Sequence, residues 1–306
     1  MRKITIGTRG SKLAVIQAQW VLTNLREAAP GLEASLVKIT TRGDRDSGTA
    51  LDKFAGQGVF VKELEKALID GEIDLAVHSL KDVPTEIPYG LFLAAATARL
   101  DPRDVLISRA GKLAGLAPDS KIGTGSLRRS VQLSALRPDL EICEIRGNID
   151  TRLRKVSEGE VDGIIVAAAA LIRLGWQDKI TEYLPIEYFT PAVGQGALGI
   201  EIRSEDEVTA SLASAINHEP TWQSVTAERT FLRALGGGCR APIAALGIVS
   251  DGVLKLSGMV ASVYGDHILR ATEEGNAQAP EQVGKQLAQK MVDIGALDCI
   301  SELKSR

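Results

Sequence analysis

Arginine recurs just after short apolar runs in the middle of the chain. In IGTGSLRR, Thr124 and Ser126 are followed at once by Arg128 and Arg129, where a strand would pass into a helix. Free backbone N–H groups and hydroxyls at such a turn suit an anion, whereas two cations in a first helical turn oppose the helix dipole and need a separate reason to be there. The pattern predicts a site for carboxylates or phosphates, because arginine can bind both in a bidentate manner.

More arginines follow the next apolar runs of the same region. The segments EIRGNIDTRLRK and LIRLG contribute Arg146, Arg152, Arg154 and Arg173. The residues alone leave two interpretations open. One is a surface that binds a polyanion, and the other is a solvated charged face paired with Asp and Glu side chains.

A carboxylate and an amine lie side by side after the apolar strand IDLAV. In VHSLKDVP, Lys81 and Asp82 come directly after the strand, and a nearby lysine keeps a carboxylate ionised, so that it can stabilise a cation or pass a proton. The alternative is that Asp82 only caps the turn before Pro84. His78, flanked by apolar residues, is expected to be a satisfied core or hinge residue.

Cys239 stands behind three glycines and ahead of a proline in GGGCRAP. A thiol on such a turn is either a reactive nucleophile or an inert residue, and this segment does not decide between them. Cys143 and Cys299 lie in apolar patterns and are expected to be buried, inert thiols. Three cysteines without CxxC spacing indicate a reducing compartment, and neither a disulfide framework nor a zinc site.

Two glycine motifs resemble nucleotide sites only in part. Gly194, Gly196 and Gly199 match GxGxxG, but the dinucleotide fingerprint opens a helix, whereas the following ALGIEI is typical of a strand. The segment GTRGSK lacks the ending of a phosphate loop. Its Arg9 and Ser11 nevertheless suit a carboxylate at the first strand-to-helix turn.

These segments need a scaffold in which strands and helices alternate. Apolar runs such as KITIG and IDLAV alternate with helical patterns from the start, and a second such set follows RLDPRD. This alternation is typical of βαβ units and a mostly parallel sheet, while the last part indicates a small antiparallel sheet with one helix packed on it. No internal repeat is evident. We predict an α/β fold with three domains: residues 1–98 with 197–216, residues 99–196, and residues 217–306.

The polar segment from Thr41 to Gly58 is longer than ordinary connections between a strand and a helix. Its length and its glycines favour a mobile lid in the first domain. The links around RLDPRD and TPAVGQGA are candidate hinges, and we expect a ligand cleft between the two α/β domains.

Composition argues against several classes of protein. A net charge of −3 over 306 residues, with charges evenly mixed, gives no overall basic field for nucleic acid. No apolar run approaches the roughly 20 residues of a membrane span, and the N-terminus lacks an apolar signal region. We expect a cytoplasmic monomer that binds neither nucleic acid, nor membrane, nor metal.

Taken together, the motifs are similar to those of the porphobilinogen deaminase (hydroxymethylbilane synthase) family. The resemblance covers essentially the whole chain: IGTRGSKLAVIQ, TRGD, FVKELEKALIDGEIDLAVHSLKDVP, GTGSLRR, RGNIDTRL, TPAVGQGALGIE, TAER and GGGCRAP occur in this order. It implies two domains that resemble periplasmic binding proteins and a small α+β third domain. It also implies an enzyme that joins four porphobilinogen molecules head to tail, releases ammonia at each addition and frees a linear tetrapyrrole by hydrolysis.

The resemblance implies a role for each candidate residue. Cys239 would hold a dipyrromethane cofactor through a thioether, as a permanent primer that the enzyme builds from its own substrate. Asp82 would be the catalytic carboxylate, stabilising the azafulvene left by ammonia loss and the cation formed by the next addition. The carboxylates of the growing oligopyrrole would require the arginines. The implied cofactor-binding residues are Lys81, Asp44, Thr124, Ser126, Arg128, Arg129 and Arg146. The implied substrate-binding residues are Arg9, Ser11, Arg152, Arg173 and Gln195.

Two segments depart from the family pattern. Gln57 replaces a lysine found in many bacterial relatives, which removes a charge from the expected lid. Arg240 and Ala241 replace a common Gln-Val pair, and the added cation should favour the Cys239 thiolate. Two other classes of function remain as alternatives: a non-catalytic two-domain anion-binding protein and a nucleotide-dependent transferase. A signal peptide or lipoprotein cysteine would favour the first and a phosphate loop the second, and the sequence shows neither.

Overall fold

The computed structural model describes three stretches of the chain: residues 3–41, 61–236 and 241–301. The chain divides into two compact units, each assembled from separate segments. Unit 1 comprises Met1–Leu100 and Gly196–Trp222, and unit 2 comprises Asp101–Gln195 and Gln223–Arg306. The expected independence of residues 217–306 as a third domain stays a prediction, as does the expected cleft.

Strands and helices alternate along the chain, as the apolar pattern predicts. The strands are β1 (Ile4–Arg9), β2 (Ala34–Ile39), β3 (Leu75–Ser79), β4 (Leu91–Ala96), β5 (Asp104–Ser108), β6 (Lys121–Gly123), β7 (Glu141–Cys143), β8 (Gly163–Ala167), β9 (Glu182–Tyr183), β10 (Leu198–Arg203), β11 (Ile243–Ser250), β12 (Val253–Ala261) and β13 (Ile268–Asn276). The helices of the described residues are α1 (Lys12–Ala28), α2 (Lys62–Ile69), α3 (Leu127–Leu136), α4 (Ile149–Glu158), α5 (Ala168–Leu174), α6 (Glu207–Ser214), α7 (Glu219–Ala234), α8 (Pro280–Asp293) and α9 (Ala296–Ser301).

Unit 1 is built on one five-stranded sheet with the order β2-β1-β3-β10-β4. β1 pairs with β2 and β3 in parallel, and β10 runs antiparallel to both of its neighbours. Helix α1 buries Val21 and Leu25 against Ile4 and Ile6 of β1. The apolar face of α2 belongs to a second cluster around Leu64. The sheet is therefore covered by helices, as its apolar strands require.

Unit 2 repeats this arrangement in a second sheet with the order β7-β6-β8-β5-β9. β6 pairs in parallel with β7 and β8, and β5 runs antiparallel to both β8 and β9. In each sheet only the fourth strand in space is reversed. The prediction of two α/β domains with mostly parallel sheets is confirmed.

The two sheets also share a short sequence, although no internal repeat was expected. The tripeptide Ile-Gly-Thr occurs at residues 6–8 of β1 and at residues 122–124 at the end of β6, and these strands hold the same place in their sheets. A Cβ atom at Gly7 would lie 2.3 Å from Cδ1 of Ile73, and one at Gly123 would lie 2.7 Å from Cδ1 of Ile145. Each sheet therefore needs a glycine where a second layer of side chains approaches the strand.

The C-terminal part forms an antiparallel meander, β11-β12-β13. Phe231 of α7 and Leu287 and Met291 of α8 are fully buried in its core cluster. The predicted small α+β element is confirmed. Helix α7 is followed by Gly236 at φ 66°, a left-handed conformation that glycine adopts without strain.

One apolar run of the second set forms both a strand and a helix. In GIIVAAAA, β8 ends at Ala167 and Ala168 begins α5, which closes at Gly175 in the left-handed conformation. Alanine has the highest helix propensity, so the run changes from strand to helix without any change in hydrophobicity. Among the described helices, none is long and apolar enough to cross a membrane.

Candidate active site

Four of the predicted site residues lie at one edge of the unit 1 sheet. Because β1 and β3 are parallel neighbours, their carboxyl ends meet at this edge. Arg9 is the last residue of β1, and Ser11 precedes α1, where its Oγ accepts a hydrogen bond from the N–H of Ala14 at 3.3 Å. Lys81 and Asp82 lie, half-buried, in the 3-10 turn that follows β3. The edge thus combines cations, a helix N-terminus and one carboxylate.

The turn that carries Asp82 is fixed by contacts on both sides of β3. Gln17 of α1 donates through Nε2 to the Oγ of Ser79 at 2.9 Å. The N–H of Leu80 donates to the carbonyl of Ala197 at 3.1 Å, and the Leu80 side chain is buried. These contacts give Asp82 a defined backbone position.

Arg128 and Arg129 of unit 2 converge on one buried carboxylate, that of Asp104 at the start of β5. Arg128 Nη2 donates to Oδ2 at 2.7 Å, while Arg129 Nε and Nη2 donate to Oδ1 at 3.0 and 2.7 Å. Asp104 is completely buried, and the two arginines are 5% and 7% exposed. Burial lowers the pKa of Arg128, and Asp104 opposes that shift. Two cations share one anion, so the group carries an excess positive charge.

Gln195 extends this network rather than lying at a surface. Its Nε2 donates to Asp104 Oδ1 at 2.9 Å and to the carbonyl of Pro102 at 2.7 Å, and its Oε1 accepts from Arg129 Nη2 at 3.5 Å. Gln195 is fully buried. Its expected role in substrate binding stays a prediction, and its observed contacts hold the Asp104 carboxylate in place.

Arg152 adds to the positive charge beside Arg129. It lies in the first turn of α4, where its Nε donates to the carbonyl of Gly147 at 2.9 Å. Burial, together with the charges of Arg129 and Arg146, lowers the pKa of Arg152 to about 10. An anion bound nearby would relieve that repulsion. Three arginines that follow β6 and β7 therefore act on one another electrostatically.

The remaining arginines differ in their surroundings. Arg173 lies in the last turn of α5, and burial lowers its pKa to about 10. Arg146 forms an ion pair with Glu144. Arg154 is exposed and lies 3.7 Å from Glu158, so the solvated-face interpretation holds for this residue.

The hydroxyl residues of IGTGSLRR shape the turn before α3. Thr124 is buried, and its Oγ1 accepts a hydrogen bond from the N–H of Ser126 at 3.3 Å. Ser126 immediately precedes the helix, and its carbonyl accepts from the N–H of Arg129 and of Ser130. The predicted strand-to-helix turn is present.

Sequence reasoning missed Asp104, the residue that organises the arginines. The signal is present in DVLIS, because aspartate is unfavourable in an apolar strand and is almost never buried without a partner. RLDPRD was interpreted only as a hinge, so its second aspartate was not matched with the arginines of IGTGSLRR.

The cysteine expectations are met only in part. Cys299 is buried as expected, but Cys143 is half-buried, with its Sγ 3.6 Å from a Glu141 carboxylate oxygen. Burial raises the pKa of Cys143, and Glu141 raises it further, which disfavours the reactive thiolate.

Several predicted features lie outside the described residues. They are Cys239, Asp44, Gln57, Arg240 and all of the expected lid except Thr41.

The structure excludes a dinucleotide site at the GxGxxG match. Gly199 lies within strand β10, and no helix begins there as such a site requires.

Comparison with known families accounts for nearly the whole chain. Residues 4–211 match the family model described as "Porphobilinogen deaminase, dipyromethane cofactor binding domain", and residues 222–293 match "Porphobilinogen deaminase, C-terminal domain". The chain belongs to the porphobilinogen deaminase family.

Individual relatives agree with this assignment. The porphobilinogen deaminase of Moorella thermoacetica is 48% identical over 307 residues, and that of Pelobacter propionicus is 46% identical over 305; each alignment covers 100% of this chain and 98% of the relative. Among solved structures, the periplasmic VFT2 domain of Bordetella pertussis BvgS is similar at 15% identity and a TM-score of 0.42, over 69% of this chain and 86% of that one. A structural similarity with this TM-score and identity supports no conclusion beyond the strand order described above.

Proposed function

We propose that this chain is a hydroxymethylbilane synthase, which joins four porphobilinogen molecules head to tail with loss of ammonia and releases the linear product by hydrolysis. Membership of the porphobilinogen deaminase family supports the reaction. The observation that carries the proposal is the excess positive charge around Arg128, Arg129 and Arg152. A substrate whose every pyrrole bears two carboxylates would balance that charge.

The charge and donors of unit 2 fit a dipyrromethane cofactor, which would be held covalently by Cys239. When bound, this group supplies the pyrrole end to which new units are added. Guanidinium groups bind carboxylates in a bidentate manner, and the shared Asp104 fixes Arg128 and Arg129 in orientation before any ligand arrives. The proposed cofactor-binding residues are Lys81, Asp44, Thr124, Ser126, Arg128, Arg129 and Arg146. The proposed substrate-binding residues are Arg9, Ser11, Arg152, Arg173 and Gln195.

Asp82 is proposed as the catalytic carboxylate. Loss of ammonia leaves a substrate short of electrons, and a carboxylate held beside it stabilises the positive charge. The same oxygen atoms can accept the proton that is lost when the aromatic ring is restored. Lys81 is the neighbour of Asp82 in the 3-10 turn.

The remaining proposals concern organisation. We propose a cytoplasmic monomer with three domains divided at the boundaries predicted above. The non-catalytic anion-binding alternative differs in one respect that can be measured, because it requires neither Cys239 nor Asp82.

One experiment tests the anchor and the catalyst together. Intact-mass measurement should show the purified protein heavier than its polypeptide by a dipyrromethane, and Cys239→Ser should remove that addition while Cys143→Ser retains it. Asp82→Asn should keep the added mass but consume porphobilinogen about 10²–10⁴-fold more slowly. The matched control Asp70→Asn changes an exposed aspartate of the same unit and should leave the rate unchanged.

Two results would refute these assignments. If active protein has only the mass of the bare polypeptide, the covalent cofactor is excluded. If Asp82→Asn turns over porphobilinogen at the normal rate, the catalytic role of Asp82 is excluded. A protein that binds but never consumes porphobilinogen would instead be the anion-binding protein of the alternative.

A further inference from the structure

The antiparallel sheet β11-β12-β13 packs against α3, the helix that carries the buried arginine pair. Helices α7 and α8 cover one face of this sheet. On the other face, Met259 and Ala261 of β12 form a separate buried cluster with Val131 of α3. Arg270 of β13 is the register partner of Met259, so the two side chains lie on the same face. None of the roles described above uses Arg270.

The guanidinium group of Arg270 reaches from this sheet to the chain that precedes GQGALGIE. Its Nη1 donates to the Oγ1 of Thr190 at 2.6 Å. Its Nη2 donates to the carbonyl of Tyr188 at 2.8 Å and to the Oε1 of Gln132 at 3.4 Å. All three acceptors are uncharged, so the positive charge strengthens these hydrogen bonds without being neutralised by them.

Thr190 links Arg270 to the arginine pair. The Thr190 carbonyl accepts from Nη1 of Arg128 at 2.6 Å and from Nε2 of Gln132 at 3.1 Å. The Oε1 of Gln132 in turn accepts from the N–H of Thr190 at 2.8 Å. Thr190 and Gln132 are 5% and 0% exposed. The N–H, the carbonyl and the hydroxyl of Thr190 are therefore all fixed by side chains.

The segment that begins at Thr190 is also fixed near its other end. The N–H of Gly194 donates to Oε2 of Glu228 at 2.7 Å, and Oε1 of Glu228 accepts from the N–H of Gly247 in β11 at 2.8 Å. Glu228 is completely buried and belongs to the TAER segment of α7. Side chains of α7 and β13 thus hold the chain on both sides of the bend that leads to Gln195.

These contacts bear on the orientation of Arg128. A guanidinium group has five N–H donors in one plane. In Arg128, Asp104 accepts from Nη2 and the Thr190 carbonyl accepts from Nη1. Two acceptors on different nitrogens define the plane of the group and the direction of its remaining donors. With Asp104 alone, the group could turn about that single contact.

We propose that Arg270 is a positioning residue for the arginine pair. It holds Thr190 so that the Thr190 carbonyl keeps Arg128 in the orientation that binds a carboxylate. The role needs the forked shape of arginine, because Nη1 and Nη2 have different acceptors. The effect on turnover rests on the proposed function, whereas the coupling of Arg270 to Arg128 through Thr190 does not.

The first experiment compares kcat per molecule of bound cofactor in wild type, Arg270→Lys and Lys255→Gln. Lysine keeps the charge but offers one nitrogen in place of the fork. We expect kcat of Arg270→Lys to fall about 10-fold because the cofactor is misoriented, with KM for porphobilinogen little changed. Lys255 lies exposed on the same face and pairs with Glu274, so its substitution should leave kcat unchanged. A normal kcat in Arg270→Lys would overturn the proposal.

A second set of variants tests the same contact from the side of Thr190. Thr190→Val removes the hydroxyl that accepts from Arg270, whereas Thr190→Ser keeps it, and neither changes the carbonyl that Arg128 contacts. We expect Thr190→Val to be as slow as Arg270→Lys, and the double variant to be no slower than either, because both changes remove one contact. Equal rates for Thr190→Val and Thr190→Ser would overturn the proposal.

A third measurement does not depend on turnover. With nitrogen-15 in the arginine side chains, Nη1 and Nη2 of Arg128 should give separate resonances in wild type, because each has its own acceptor. Arg128→Lys identifies these resonances, which should merge or broaden in Arg270→Lys as the group becomes free to rotate. Unchanged resonances would overturn the positioning role even in an active enzyme. Altered resonances, together with a catalytically inert wild type, would retain the coupling and reject only the proposed function.

Discussion

The sheets of unit 1 and unit 2 have the same arrangement of parallel and reversed strands. The buried carboxylate in each sheet nevertheless has different hydrogen-bond partners. In each sheet the reversed strand carries it: Glu201 on β10 and Asp104 on β5. Asp104 receives hydrogen bonds from two arginines and a glutamine, whereas Glu201 contacts His78 through one oxygen and leaves the other without a partner among the described residues. The same scaffold thus holds two guanidinium groups on the buried carboxylate of unit 2 and one histidine on the buried carboxyl group of unit 1.

The difference shows that the backbone determines where a buried carboxyl group lies, whereas its hydrogen-bond partners determine the charge and orientation of the groups around it. In unit 2, the Asp104 carboxylate orients two guanidinium groups. In unit 1, the buried carboxyl group of Glu201 contacts a histidine instead of guanidinium groups. Three sets of substitutions test this comparison.

The largest effect is expected for Asp104→Asn. The change leaves two buried guanidinium groups without their anion, and breaking a buried ion pair in this way costs about 3–5 kcal/mol. Urea unfolding should show that loss. Asp101→Asn is a matched control in the same segment, because its partner Arg103 is 42% exposed and such pairs contribute about 0–1 kcal/mol. Equal losses for the two variants would refute the organising role of Asp104.

Intermediate effects are expected where the two sheets are alike. Gly7→Ala and Gly123→Ala each drive a methyl group into a buried isoleucine, and overpacking of this kind costs about 1–3 kcal/mol. Adding Ile73→Val should rescue Gly7→Ala, because the removed Cδ1 is the closest atom. Adding Ile145→Val should rescue Gly123→Ala less, since Cγ2 of Ile145 remains at 2.8 Å. Equal rescue in the two sheets would contradict this geometry.

The smallest effect is expected for Glu201→Gln. The amide oxygen can still accept a hydrogen bond from His78 and the side chain keeps its shape, so the free energy of unfolding should change by less than about 1 kcal/mol at neutral pH. Urea unfolding beside Asp104→Asn makes the comparison direct. A loss as large as that of Asp104→Asn would show that the two buried carboxylates are equivalent after all.

The sequence predicted most of the fold because its signals are local. The period of apolar residues identified α1, α3, β3 and β10, and the antiparallel strands near the C-terminus were equally clear. The apolar pattern does not locate a boundary at which hydrophobicity stays the same. The junction of β8 and α5 is such a boundary, because a run of alanines changes there from strand to helix. The repeated Ile-Gly-Thr is too short to indicate an internal repeat by itself. Only the strand order shows that both copies lie on the second strand of their sheet.

The sequence by itself determined the family and the candidate residues, because these depend on residue types and their spacing. Only the tertiary structure decided which side chains are partners. Arg128 and Asp104 are far apart along the chain, and so are His78 and Glu201. No local pattern in the sequence reports a contact that the tertiary fold creates between distant segments. The free energy of a buried charge depends on those contacts. For that reason Arg129 and Gln195 were named from the sequence, whereas Asp104, the carboxylate that they both contact, was not matched with them.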